Sequence, residues 1–137
     1  EKADKDSRVL LLLDDEAHIL KSLRRLFRSE GYRVLTCEEP GQAFDCLAEY
    51  DVGVVLCDQH MPTISGTEFL TRVKGMYPNS VRMILSGYTE LSSIIDAVNQ
   101  GSIYKFLTKP CDSDLLKQHV EEAFQLYEAK RDQRSVR

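Results

Sequence analysis

The sequence has no tryptophan, and its four cysteines show no C-x-x-C spacing. The paired-cysteine patterns of zinc ribbons and of thioredoxin-like redox motifs are therefore missing. Three histidines, at positions 18, 60 and 119, are too far apart in the sequence to indicate a metal cluster. We interpret the cysteines as reduced core or loop residues.

A basic excess and a long apolar run are missing too. Eighteen basic side chains stand against 22 acidic ones, so the formal net charge is −4 at pH 7 and no positive field draws the chain to nucleic acid. The longest apolar run, Val9–Leu13, is far shorter than the roughly 20 residues that cross a bilayer, and the polar N-terminus lacks the pattern of a signal peptide. We expect a cytoplasmic domain that binds neither nucleic acid nor membranes directly.

Short apolar strands alternate with amphipathic helices along the 137 residues. Val9–Leu13 is an unbroken aliphatic run, which is typical of a strand covered on both faces of a parallel sheet. Residues 17–30 then have apolar positions at helical spacing, and Gly31 is a natural helix terminator. The alternation repeats as strands at 32–36, 52–57, 81–86 and 103–107 and as helices at 41–50, 66–75, 90–100 and from 112 onward. Five strand-then-helix units predict an α/β fold with a parallel sheet and helices on both faces.

The two ends of the chain differ from its middle. Residues 1–7 are polar and unpatterned, and we predict a disordered segment before a folded domain at 8–127. Residues 128–137 are largely charged, and we interpret them as a helical linker towards an output domain outside this sequence. The apolar positions of the last helix are close to a seven-residue repeat that could continue into a paired linker; they are Leu116, Val120, Ala123 and Tyr127.

Residues that can carry chemistry follow four of the five predicted strands. In open parallel sheets, functional groups gather beyond the carboxyl ends of the strands. Three carboxylates, a hydroxyl and an ammonium are therefore predicted at one edge of the sheet; they belong to Asp14, Asp15, Asp58, Ser86 and Lys109.

Such a cluster favours phosphoryl chemistry with a metal ion. Crowded carboxylates repel one another, so they are stable near neutral pH only if a cation joins them, and all-oxygen ligands suit Mg²⁺. An aspartate beside Mg²⁺ can attack a phosphoryl group while a lysine neutralises the phosphoryl oxygens. Taken singly, each residue also has a simpler interpretation: Asp14 and Asp15 as helix caps, Asp58 and Ser86 as turn residues, and Lys109 as a solvated loop residue.

Four segments together resemble the receiver domains of two-component response regulators. In chain order they are V-L-L-L-L-D-D-E, D-Q-H-M-P-T-I-S-G, I-L-S-G-Y and F-L-T-K-P, and the resemblance covers residues 8–127. It implies a flavodoxin-like (βα)5 sandwich with strand order 2-1-3-4-5. It also implies a signalling domain that is not an enzyme beyond its own phosphorylation and dephosphorylation.

The resemblance assigns a role to each candidate residue. Asp58 would be the phosphoacceptor, and Mg²⁺ would be held by Asp14, Asp15, Asp58 and the backbone carbonyl of His60. Ser86 and Phe106 would be the switch residues. Lys109 would pair with the phosphoryl group, and its bond to Pro110 would be cis.

Three positions beside the candidate residues carry distinctive side chains. Gln59 stands where many relatives have an aliphatic residue, which puts the packing after Asp58 in doubt. His60 and Tyr88 are the bulky residues expected to flank the phosphoryl group and to shield it from water.

The resemblance also implies partners. They are a sensor histidine kinase or a phosphotransfer protein, a C-terminal output domain, and a second copy of the domain bound through the fourth helix, fifth strand and fifth helix. The segment N-Q-G-S-I-Y-K-F-L-T-K-P is similar to receivers fused to domains of cyclic-di-GMP turnover.

Two rival functions remain at this point. A haloacid-dehalogenase-type phosphatase also uses a strand-end aspartate with Mg²⁺, but it needs a second aspartate where this chain has His60. A docking module that works without phosphorylation would have no need of all five residues at the sheet edge.

Overall fold

Five strands and five helices alternate along the chain. The computed structural model describes residues 8–87 and 91–136, so the predicted disordered segment 1–7 and Tyr88 lie outside the described residues. The element boundaries differ from the predicted ones by no more than two residues. The elements are β1 Val9–Leu13, α1 Ala17–Arg28, β2 Arg33–Cys37, α2 Pro40–Glu49, β3 Val54–Cys57, α3 Gly66–Met76, β4 Val81–Ser86, α4 Leu91–Asn99, β5 Lys105–Thr108 and α5 Ser113–Val136.

The strands form one parallel sheet in the order β2-β1-β3-β4-β5. This order and the fold class confirm the prediction. Leu13 lies opposite Cys37 on one side and Cys57 on the other, so the ends of β2, β1 and β3 are level. Residues that follow these strands therefore meet at the same edge of the sheet.

Two apolar cores lie on opposite faces of the sheet. Every residue of β1 is buried, and alternate side chains point to opposite faces. Leu11 and Leu13 pack with residues of α2, α3 and α4, whereas Leu10 and Leu12 pack with residues of α1 and α5. This three-layer arrangement explains why β1 is apolar throughout and does not alternate with polar residues.

The apolar face of α4 is only partly used by the core. The sequence places Leu91, Ile94, Ile95 and Val98 on one face, but the structure buries Ile94 together with Ala97, at 2% and 5% exposure. Ile95 and Val98 are 54% and 39% exposed. Since residues three apart on a helix share a face, 94 and 97 face the sheet while 95 and 98 face outward. The outward face of α4 therefore exposes the apolar side chains of Ile95 and Val98 to solvent.

The apolar seam of α5 belongs to the domain itself. Leu116, Val120 and Ala123 are buried in the core shared with α1 and the sheet. A second helix therefore cannot use these positions, and any pairing with another helix would begin beyond them.

Arg8, the residue before β1, holds the middle of α5 on the sheet. Its guanidinium donates to both carboxylate oxygens of Glu128, at 2.7 and 2.9 Å, and to Glu121 at 2.8 Å. The same group lies 5.4 Å from the centre of the Phe124 ring. Glu128, which we predicted as the start of the linker, is therefore attached to the folded domain.

Arg82 joins the ends of two helices to the sheet. It is buried within β4 and donates to the backbone carbonyls of Ser80, Gly101 and Ser102, at 2.7, 3.1 and 2.8 Å. Every acceptor that this guanidinium reaches in the described ranges is a carbonyl or hydroxyl oxygen. Burial lowers its pKa. The carbonyls belong to the segments that follow the C-terminal ends of α3 and α4, where the negative end of the helix macrodipole favours a cation nearby.

Helix α3 makes two more contacts with the end of α4. Lys74 Nζ donates to the backbone carbonyl of Gln100 at 2.5 Å, and the Thr71 hydroxyl donates to Ser102 Oγ at 3.2 Å. Gly101 ends the helix with a φ of 82°, a conformation that glycine adopts without strain. The C-terminal end of α4 is thus held from two sides.

We expect the Glu121 carboxylate to make stability depend on pH. It accepts hydrogen bonds from Tyr32 and Arg8. Burial alone would raise its pKa, but the Tyr32 hydrogen bond and the Arg8 charge outweigh burial and lower the pKa below the usual 4.5. Such a group stabilises the fold when ionised, so its contribution is complete above about pH 4.5 and is lost as the pH falls through the folded pKa.

The measurement is the urea midpoint of wild type and Glu121→Gln as a function of pH. Wild type should be more stable at neutral pH, and the difference should shrink below about pH 4.5. Glu49→Gln, an exposed substitution on α2, should show no such trend. A difference for Glu121→Gln that stays constant into the acid range would contradict the expectation.

Candidate functional site

Two aspartates are fixed at the carboxyl edge of the sheet by backbone hydrogen bonds. The Asp14 N–H donates to the carbonyl of Cys37 at 3.1 Å, and the Asp58 N–H donates to the carbonyl of Leu13 at 3.0 Å. Both side chains are largely buried. The sheet register therefore places carboxylates from β1 and β3 side by side, as the sequence predicts.

Lys109 connects these carboxylates. Its Nζ lies 3.0 Å from Asp14 Oδ2 and 3.2 Å from Asp58 Oδ1. Its backbone N–H donates to the carbonyl of Ser86 at 2.8 Å, which brings the ends of β4 and β5 together. The peptide bond between Lys109 and Pro110 is cis, as expected.

The electrostatics of the site reflect crowded carboxylates that are partly removed from water. Burial raises the pKa of Asp58, and the charge of Asp14 adds to this, although the Lys109 charge opposes both. Burial alone would lower the pKa of Lys109, but its hydrogen bonds and ion pairs with the two aspartates outweigh burial and raise it. Lys109 therefore stays charged, and the pocket has a net negative charge that favours a further cation.

Three carboxylates form a group that can hold a metal ion. One oxygen from each of Asp14, Asp15 and Asp58 lies within 4.8 Å of the other two. Asp15 is exposed, so the group is open to solvent on its side. Carboxylate oxygens with room for water ligands are the donors that Mg²⁺ prefers, and the residues present fit this ion.

His60 is placed beside the Asp58 carboxylate by its main chain. Its backbone N–H donates to Asp58 Oδ2 at 3.2 Å, while its side chain is exposed. Asp58 thus receives Lys109 on one oxygen and the His60 amide on the other.

The Ser86 hydroxyl is the unsatisfied group of the site. Its Oγ is buried and has no hydrogen-bond partner in the part of the chain that the structure describes. A buried polar group without a partner costs free energy, so its presence points to a ligand or to a second arrangement of the site. Phe106 lies opposite Ile84 on the neighbouring strand and is half-buried against the core.

The simpler interpretation of Asp14 as a helix cap is not supported. Its Oδ1 accepts from the N–H of Glu16 at 2.9 Å, which is a local turn before α1, and Glu16 occupies the N-cap position without a side-chain cap. A capping aspartate would instead accept from the first turn inside the helix.

Two residues near the site make contacts that the sequence does not indicate. Gln59 is buried and hydrogen-bonded to Thr67, so the expected doubt about packing after Asp58 is resolved by a polar contact. Gly66 is required because a Cβ there would lie 2.4 Å from the carbonyl oxygen of Asp58. The nearby sequence pattern Ser65-x-x-Glu68 marks the start of α3, but it indicates neither contact.

In the described ranges, no helix has the length and apolar character that a membrane crossing requires.

Comparisons with known proteins agree with this geometry. Residues 10–121 match the family model described as the response regulator receiver domain. The chain is 43% identical over 118 residues to the hydrogenase transcriptional regulatory protein HoxA of Bradyrhizobium diazoefficiens, which covers 86% of this chain but 24% of the relative. The chain thus spans about a quarter of the length of the curated relatives it matches.

Solved structures share the fold over nearly the whole chain. The signal receiver domain of an HD domain-containing protein from Pseudomonas fluorescens Pf-5 superimposes with a TM-score of 0.89 at 29% identity and covers 96% of both chains. The beryllofluoride-activated NtrC4 receiver domain dimer gives a TM-score of 0.80 at 28% identity, over 87% of this chain and 98% of that one. Since the family model covers most of the chain and the sheet order agrees with it, the chain belongs to the response regulator receiver domains of two-component systems.

Proposed function

We propose that this receiver domain accepts a phosphoryl group on Asp58 and changes conformation in response. The observation that carries the proposal is the position of Lys109 Nζ, 3.0 Å from Asp14 and 3.2 Å from Asp58, beside three clustered carboxylates. A phosphoacceptor site needs a nucleophile, a metal site and a counter-charge, and these residues supply all three.

The chemical step is a transfer between oxygens. An Asp58 oxygen attacks the phosphorus of the donor, the bond from phosphorus to the leaving group breaks, and the leaving group keeps the electron pair. Lys109 balances the charge of the transferring group, and the Ser86 hydroxyl donates a hydrogen bond to a phosphoryl oxygen. Mg²⁺ would be held by Asp14, Asp15, Asp58 and the carbonyl of His60, and when bound it would neutralise charge on the phosphoryl oxygens.

The donor and the switch follow from this chemistry. We propose a sensor histidine kinase or a phosphotransfer protein as the physiological donor, and Ser86 with Phe106 as the residues that respond. Because Ser86 Oγ has no partner among the described residues, it gains a hydrogen bond in the phosphorylated state, and such a differential contact is what shifts a two-state equilibrium.

The proposed surface for the response is formed by α4, β5 and α5. It carries exposed apolar side chains that the core does not use, and a second copy of the domain is the partner that we propose there. The dimeric state of the NtrC4 receiver domain supports this choice. The exposed apolar residues are Ile95, Val98, Tyr104 and Leu115.

The proposed output is a domain that follows α5 in a longer protein. Two curated relatives that are 43% and 40% identical to this chain are named hydrogenase transcriptional regulatory proteins, which favours control of transcription. Cyclic-di-GMP turnover is the second candidate, because a receiver domain of an HD domain-containing protein superimposes closely.

The proposed phosphorylation is tested with a small donor. Wild-type protein incubated with acetyl phosphate and Mg²⁺ should gain one phosphoryl group, seen by intact-protein mass spectrometry and mapped to the peptide that contains Asp58. EDTA should abolish the gain in mass. Labelling that EDTA does not affect would contradict the metal site, and the absence of any label would favour the docking module.

Lys109→Ala should weaken the conformational response of the switch residues Ser86 and Phe106 to a phosphoryl mimic. The ammonium can contact the phosphoryl group only when that group is present, so its removal takes away a contact that exists in one state alone. With saturating Mg²⁺ and beryllofluoride, most of the NMR shifts that wild type shows at Ser86 and Phe106 should be lost. Lys105→Ala is the control, because Lys105 contacts His119 and Glu122 rather than the site. Wild-type shifts in Lys109→Ala would reduce Lys109 to a loop residue.

A further inference from the structure

Gln59 is a buried polar residue next to the proposed phosphoacceptor. Its exposure is 2%, and both ends of its side-chain amide are bonded to Thr67. Oε1 accepts from the Thr67 backbone N–H at 2.9 Å, and Nε2 donates to the Thr67 hydroxyl at 3.4 Å. The side chain therefore spans the loop between β3 and α3.

The main chain of Gln59 closes the same loop. Its carbonyl oxygen accepts from the Gly66 N–H at 2.9 Å. Gly66 fits so closely that an added Cβ would lie 2.4 Å from the Asp58 carbonyl oxygen and 3.0 Å from the Gln59 Cα. Residues 59–66 thus form a closed loop whose two ends meet beside Asp58.

Gln59 and Ser65 together satisfy the first turn of α3. A helix begins with four N–H groups that lack partners within the helix. Here the carbonyl and the side-chain oxygen of Gln59 accept those of Gly66 and Thr67, and the Ser65 hydroxyl accepts that of Glu68. Ser65 already provides the usual cap, so the contribution of Gln59 is to connect the helix to the loop 59–66 beside Asp58.

The connection between Gln59 and α3 positions the next residue of the chain, His60. His60 follows Gln59, and its backbone N–H donates to Asp58 Oδ2 at 3.2 Å. Its carbonyl is the main-chain metal ligand of the proposed function. The orientation of the peptide groups on both sides of His60 depends on where Gln59 is held, because the His60 side chain is exposed and makes no hydrogen bond among the described residues.

We propose that Gln59 is a positioning residue for the Mg²⁺ site, acting through its amide contact with Thr67 on the loop that carries His60. This inference rests on the proposed function of Asp58. Partners that orient metal ligands typically change metal affinity by about 10–100-fold when they are removed. A leucine at position 59 fills a similar volume but leaves the Thr67 N–H without its acceptor.

The test is a titration of the ion-free protein with Mg²⁺ alone, followed by NMR shifts of backbone amides, without any phosphodonor. Gln59→Leu should bind Mg²⁺ about tenfold more weakly than wild type. Thr67→Val removes the 3.4 Å contact with Gln59 and the 3.1 Å contact between the Thr67 and Ser65 hydroxyls, but it keeps the backbone contact with Gln59, so its affinity should stay close to wild type.

Gln42→Leu is the matched control. The Oε1 of Gln42 also accepts a backbone N–H near a helix start, from Glu38 at 3.0 Å, but Gln42 is an exposed residue of α2 that makes no hydrogen bond to a site residue in the described ranges. It should keep wild-type Mg²⁺ affinity whatever it does to stability. Gln59→Ala is the second variant if leucine disturbs folding, and circular dichroism identifies which variants are folded.

The outcomes separate the two proposals. A folded Gln59 variant with wild-type Mg²⁺ affinity would show that Gln59 only caps α3, and it would overturn the inference. Wild-type protein that binds no Mg²⁺ would instead overturn the proposed function itself.

Discussion

Asp58→Asn is expected to abolish labelling by acetyl phosphate completely. The amide keeps the shape of the carboxylate and can still bond to neighbouring groups, but its oxygen is a poor nucleophile towards phosphorus. Mass spectrometry under the conditions that label wild type should show no adduct. Asp45→Asn, an exposed substitution on α2, should be labelled like wild type. Equal labelling of Asp58→Asn would mean that another residue is the acceptor.

The same variant has a second readout that excludes misfolding as the cause. Burial and the charge of Asp14 raise the pKa of Asp58, so the ionised side chain destabilises the ion-free protein at neutral pH. The amide carries no charge to bury. In EDTA at neutral pH, Asp58→Asn should therefore be at least as stable to urea as wild type, and a clear loss of stability would show that the Lys109 contact outweighs burial.

Arg82→Met is expected to cause a large loss of stability, about 2–4 kcal/mol. Methionine retains an unbranched chain like the aliphatic part of arginine. It has no N–H group, so the carbonyls of Ser80, Gly101 and Ser102 lose their donor. Each buried acceptor left without a partner costs about 1–3 kcal/mol, and relief from burying the Arg82 charge offsets part of the sum. Urea unfolding at neutral pH provides the measurement.

Two further variants show whether the loss comes from the carbonyl contacts. Arg82→Lys keeps the charge but cannot reach three separate carbonyls with the planar geometry of arginine, so it should lie between wild type and Arg82→Met. Arg72→Met, at an exposed position on α3, should change stability by less than about 0.5 kcal/mol. Arg82→Met within that same range would mean that water replaces the guanidinium at no cost.

The sheet and its edge could be predicted because they depend on local patterns. The aliphatic run Val9–Leu13 has too few polar residues for any strand but a central one, and the glycines at 31 and 101 have the positive φ values that end their helices. The parallel order then places Asp14 and Asp58 side by side, since strand ends determine their position. Strand order itself came from the family resemblance and not from the patterns.

What could not be predicted depends on contacts between distant segments. Arg82 stands in an apolar strand, and nothing nearby in the sequence indicates that it reaches carbonyls about 20 residues later. Gln59 bonds to a residue only eight positions away, but the bond exists because the intervening loop folds back on itself. The outward position of Ile95 on α4 depends on how that helix is rotated on the sheet, which helical spacing alone does not determine.

Because the C-terminal end of α4 is hydrogen-bonded to α3 and β4, a rotation of this helix would move its N-terminal end the most. Lys74, Arg82 and Thr71 bind the segment 100–102, whereas the N-terminal end of the helix follows Ser86 and lies on the side of Asp58, the proposed phosphoacceptor. A nine-residue helix is about 13 Å long, so each degree of rotation about residues 100–102 moves its free end by about 0.2 Å. We expect α4 to work as a lever with its pivot at Gly101, in which the exposed side chain of Ile95 travels farther than that of Val98 because it lies farther from the pivot.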